Sequence, residues 1–65
     1  MNTDFVIEWI DENGKPWYWW GAGLWTGVLA EAKVYATRFA VQGAVRQIGR
    51  AGAGYLTKED IRERG

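Results

Sequence analysis

The chain predicts an α+β fold: a small two- to three-stranded antiparallel sheet packed on one α-helix, with a short C-terminal helical turn or edge strand. Three observations carry this. Asn13-Gly14 lies between two apolar runs, and both residues tolerate the positive φ of a tight hairpin turn. Residues 4 to 10 and 15 to 20 are rich in β-branched and aromatic types, which suit strands. From Arg38 to Arg50 the apolar residues Val41, Ala44, Val45 and Ile48 recur at helical spacing.

The first strand runs over residues 4 to 10 and the second from about Lys15 to Trp20. With a connection of two or four residues, Trp9 faces Tyr18 and Ile7 faces Trp20, while Ile10 faces Trp17 and Glu8 faces Trp19. The first of these faces, with Phe5 added, is wholly apolar and is the expected core. The second, with Val6, Glu8, Ile10, Trp17 and Trp19, contains a carboxylate and is the wetter side. A three-residue loop with a bulge reverses the assignment. Gly21-Ala22-Gly23 breaks the strand, and Trp25 in the following corner plugs one end of the core.

Residues 30 to 36 include Lys33-Val34-Tyr35, an expected third strand, although Leu29 to Lys33 also reads as a helical turn. Thr37 sits where an N-cap belongs, and Gly49, Gly52 and Gly54 end the helix. Its buried side holds Val41, Val45 and Ile48. In the tail, Thr57 followed by Asp60 resembles a capping box, whereas alternation of Tyr55, Thr57, Glu59 and Ile61 suits an edge strand.

Composition excludes several chemistries. Sixty-five residues make a single domain, 1–65, of a size that buries only about 60% of its unfolded surface. The chain has no cysteine and no histidine, so disulfides, thiolate metal sites and the commonest general base are all missing. Each buried Trp or Tyr removes about 150 to 250 Å² from water, so the five tryptophans substitute for a larger aliphatic core. No apolar run is long enough for a membrane span, and the absence of cysteine suits a cytoplasmic, soluble protein. Eight basic residues balance eight acidic ones, unlike a dedicated nucleic-acid binder.

No enzyme is expected, and no cofactor or metal. Thr3, Thr26, Thr37 and Thr57 are candidate nucleophiles without a histidine to activate them, and Lys15 or Lys33 alone is a thin base. Gly21-x-Gly23 lacks the further glycine, lysine and helix of a phosphate loop. Asp11 and Glu12 form an acidic hairpin tip, which serves solubility before it serves a cation. The candidate partner-binding residues are Glu8, Trp17, Trp19, Arg38, Phe39, Arg46 and Arg50. Trp17 and Trp19 are either covered by a third strand, the tail or a second copy of the chain, or they form a partner surface beside Glu8. Arg38, Gln42, Arg46 and Arg50, each four apart, make a polar stripe with Phe39 in its arc. That stripe is either a solvated helix face or a site for phosphate or carboxylate.

The order Phe5-Val6-Ile7, Gly14-Lys15, Tyr18-Trp19 with Gly21, Trp25-Thr26, Ala30-x-Ala32-x-Val34-Tyr35-x-Thr37, and Ala40 with Ala44 resembles a diffuse class of small bacteriophage and prophage proteins. It covers roughly residues 5 to 48. The resemblance implies a twisted antiparallel sheet followed by one helix, and no shared catalytic residues. It also implies a phage product acting on host machinery, anti-defence proteins such as anti-CRISPRs included. Trp17, the arginine stripe and the glycine-rich residues 49 to 54 depart from that class. The expectation is thus a non-enzymatic protein that occludes a host protein, for example a nuclease or CRISPR-type complex, through Trp17, Trp19 and Glu8. It forms a weak homodimer when alone. The rival is a nucleic-acid-binding accessory protein using Arg38, Arg46 and Arg50.

Overall fold

A computed structural model describes residues 4–64. In chain order they form β1 (Phe5–Ile10), β2 (Pro16–Gly21), β3 (Leu24–Thr26), a single 3-10 turn (Leu29–Glu31), α1 (Arg38–Ile48), β4 (Gly54–Thr57) and α2 (Lys58–Arg64). The strands make one antiparallel sheet in the order β3-β2-β1-β4. The α+β expectation holds, with four strands and two helices.

The tail resolves its ambiguity by being both things in succession. Tyr55 and Thr57 belong to β4, which pairs with β1, and the Thr57 hydroxyl then accepts the Asp60 N–H at 3.1 Å to cap α2. At α1, Thr37 caps in the same way through Ala40 N–H at 3.1 Å, and Gly49 at φ 65° ends the helix.

The β1–β2 register differs from the expected one. Gly14 N–H donates to Asp11 O and Asp11 N–H to Lys15 O, both at 2.9 Å, with Gly14 at φ +82°. This is a three-residue loop, 12–14, closed by a left-handed glycine. The odd loop length shifts the pairing by one residue, so Glu8 opposes Tyr18 and Trp9 opposes Trp17. Trp17 and Trp19 therefore share a face with Phe5, Ile7 and Trp9, while Tyr18 shares one with Val6 and Glu8. Trp20, placed in the core by the expected register, is 49% exposed.

Both faces of β1 are covered. Val6 and Ile7 are sequence neighbours and so point oppositely, yet both are fully buried. On one side α1 packs against β1 and β4, with Val41 fully buried. On the other, Val6, Tyr18, Ala32 and Ile61 form a core joined by Leu29 and Leu56. Of the residues expected in a single core, Ile7, Tyr18 and Val41 are buried, whereas Phe5, Trp9, Val45 and Ile48 are only partly so.

The third strand is also relocated. β3 follows β2 through Ala22 and Gly23, both at positive φ (54° and 80°), the pair of conformations a two-residue hairpin turn uses. Residues 29–31 take the helical-turn alternative. Tyr35 contributes only an isolated bridge to Phe5, through hydrogen bonds of 2.9 and 2.8 Å.

Candidate interaction surfaces

The sheet face under α1 is aromatic, because the corrected register brings four indoles onto it. Trp25 sits between Trp9, at 5.8 Å between ring centroids, and Trp19, at 5.3 Å with the rings near perpendicular. Trp25 is thus the centre of the cluster, more than the plug of one core end. Cations lie over the rings on this side: Lys15 Nζ is 4.3 Å from the Trp17 centroid and the Arg50 guanidinium 3.8 Å from that of Trp9. Trp17 and Trp19 are partly buried by these neighbours.

Asp11 holds Trp17 in place. Its carboxylate accepts the Trp17 indole N–H and the backbone N–H groups of Asn13 and Lys15, each at 2.9 Å. The Trp17 bond, followed by the Lys15 backbone bond, lowers the Asp11 pKa below its ordinary value. A depressed carboxylate stabilises the fold above the unfolded-chain pKa near 4, and that contribution is lost as pH falls through the lower folded value. On acidification below about pH 4, the Trp17 indole N–H resonance should therefore shift with a midpoint below the ordinary Asp range. Asp11→Asn removes the second oxygen and should abolish that titration; a midpoint at the ordinary Asp value would contradict the assignment.

Glu8 does not join this surface. It lies on the α2 side and is 8% exposed. Both its oxygens accept from Arg64, Oε1 from Nη1 at 3.0 Å and Oε2 from Nη2. Glu8 in turn drives the Arg64 guanidinium further toward its charged form, and burial, with Glu8 nearby, raises the Tyr18 phenol. The acidic edge expected beside Trp17 and Trp19 is thus a buried carboxylate paired with a half-exposed arginine on the opposite face.

The arginine stripe shortens as well. Arg38 and Arg46 are exposed on α1, but α1 stops at Ile48, so Arg50 leaves the ridge and covers Trp9. Phe39 stands on α1 at 87% exposed. With Gln42, Gly43 and Arg46 it borders a shallow depression of about 190 Å³, and the Gln42 side-chain amide donates to the Tyr55 hydroxyl at 2.9 Å.

Sequence reasoning missed Gly43. Glycine inside a helix costs about 1 kcal/mol relative to alanine, and a Cβ built there would meet nothing within 4 Å. No packing among the described residues requires it, and a glycine in mid-helix was the available signal. The described threonine hydroxyls are likewise committed to structure: Thr37 and Thr57 cap helices, and Thr26 accepts from Val28 N–H and donates to Glu31. Thr3 lies outside the described residues. Among the described residues no three carboxylates converge to hold a metal ion, and no helix is long and apolar enough to cross a membrane. Comparison with protein-family models, curated proteins and solved structures finds no match.

Proposed function

We propose that the chain is a non-enzymatic, cytoplasmic binding module that docks on a partner protein and occludes it through the outer face of α1. The supporting observation is Phe39, a nearly bare phenyl ring, beside Gly43 and Arg46. Aromatic and arginine side chains are the types that anchor protein interfaces, and a glycine with no internal role permits close approach of another backbone. The resemblance to phage proteins extends the proposal to a host nuclease or defence complex as partner. It includes weak self-association in the partner's absence, since Ile10, Trp20, Leu24 and Val28 are each about half exposed and net charge is zero.

A second reading, binding of single-stranded nucleic acid, gains from the removal of Glu8 to the other face. It leaves Lys15 and Arg50 as the charges over the indoles. Base stacking, however, needs open ring faces. Here cations sit over Trp17 and Trp9, so two of the four indoles already have a ring face occupied.

An affinity pull-down from host lysate, with and without nuclease treatment, separates the two readings. For a protein partner, capture survives nuclease and moderate salt, and Phe39→Ala weakens it by about thirtyfold, the mark of an interface anchor. Gly43→Ala should raise stability by about 0.5 to 1 kcal/mol yet also weaken capture. Loss of capture on nuclease treatment, with a steep salt dependence, would favour the nucleic-acid reading. Unchanged capture by both variants would exclude the α1 face.

A further inference from the structure

A cleft of about 280 Å³ opens between the end of β2 and α1, away from Phe39. Trp19 and Tyr35 provide aromatic walls, Ala44 an apolar surface, Gln47 an amide, and Lys33 is the one charge lining it among the described residues. The walls are set by backbone pairing. Lys33 N–H donates to Trp19 O at 2.9 Å, and Tyr35 is tied to Phe5 by two hydrogen bonds. Gly21, at φ +114°, forms the floor beside the Lys33 stem, whose Cδ lies 3.8 Å from where a Cβ would stand. The Lys33 ammonium sits 5.5 Å from the Tyr35 ring centroid, and among the described residues no carboxylate pairs with it.

We infer that this cleft binds a small planar aromatic carboxylate, its ring against Trp19 and Tyr35 and its anion at Lys33. The volume equals the liquid share of about nine waters, room for a bicyclic ring carrying one carboxylate. A single lysine matches one negative charge. Phosphate recognition draws instead on several converging donors such as an arginine fork or a run of backbone N–H groups. The inference does not depend on the α1 docking face, which uses Phe39 and Gly43.

NMR titration of the intact chain with 1-naphthoate tests it, with 1-naphthalenemethanol and inorganic phosphate as comparison probes. Naphthoate should shift the Trp19, Lys33, Tyr35 and Gln47 resonances. Lys33→Gln, at an exposed position, should weaken naphthoate about three- to fivefold and leave the alcohol unchanged. Ala44→Leu, which fills the cleft from the helix, should remove binding of both while the remaining spectrum stays folded. Shifts centred on Phe39 or Trp20, equal loss of naphthoate and alcohol in Lys33→Gln, or phosphate competing as strongly as naphthoate would each overturn the assignment.

Discussion

Trp25→Ala is expected to cost about 3 kcal/mol of folding stability, measured by urea denaturation followed through the remaining tryptophans. Two ring pairs meet at this side chain, with Trp9 and with Trp19, and each such pair contributes about 0.5 to 1.5 kcal/mol beyond area burial. The lower end of the range for a deleted indole applies because Trp25 is only partly buried. A chain of 65 residues commands roughly 3 to 10 kcal/mol in total, so the variant should stand near the unfolding threshold. Trp20→Ala provides the contrast. At 49% exposure and outside the indole cluster, it should cost less than about 1 kcal/mol. Equal costs for the two substitutions would mean that the β1–β2 register assigned to the folded chain is wrong.

What was legible in the sequence was local. Thr37, the spacing of Val41 and Val45, and Gly49 define α1 within one stretch of chain, and the structure places that helix as expected. The hairpin was legible in kind but not in register. Asn13-Gly14 suits a two-residue turn and a three-residue loop alike, and Val6 and Ile7, adjacent and both apolar, do not distinguish the two faces of β1. The choice is made by hydrogen bonds around Asp11, whose carboxylate and backbone both tie to Lys15.

Glu8 was the one polar marker on β1, and it indicated the wrong side. A carboxylate was expected to face water, but Arg64, 56 residues away, satisfies it on a covered face. Pairings at that separation leave no periodicity to read. The third strand was missed for another reason. β3 is only three residues long, and the preceding turn puts Ala22, a residue with no turn preference, at positive φ. Phe39 was legible as an apolar residue without a core partner, whereas Gly43 acquires meaning only once the space around its Cα is known to be empty.

The Glu8–Arg64 pair leads to the second large effect. A carboxylate at 8% exposure has given up most of its hydration, and it is compensated by a two-pronged guanidinium contact from the last turn of α2. Removing one partner of a fully buried pair costs about 3 to 5 kcal/mol, since the other charge is left without water or counterion. Arg64 is 47% exposed, so solvent reaches this contact and Arg64→Ala is expected to cost about 2 kcal/mol. Glu8→Gln should cost less, because the freed guanidinium can turn to water while the amide still accepts. In the double variant Glu8→Leu with Arg64→Ala, neither charge remains, and most of the loss should be recovered. The pH dependence distinguishes an orphaned charge from simple loss of packing. In Arg64→Ala the penalty falls on a buried charge without a counterion, and acid that neutralises that charge relieves it. Denaturation of both proteins from pH 7 down to about pH 4 should therefore show the stability gap narrowing. A gap that stays constant over this range would show that Arg64 contributes through its aliphatic stem and not through the charge on Glu8.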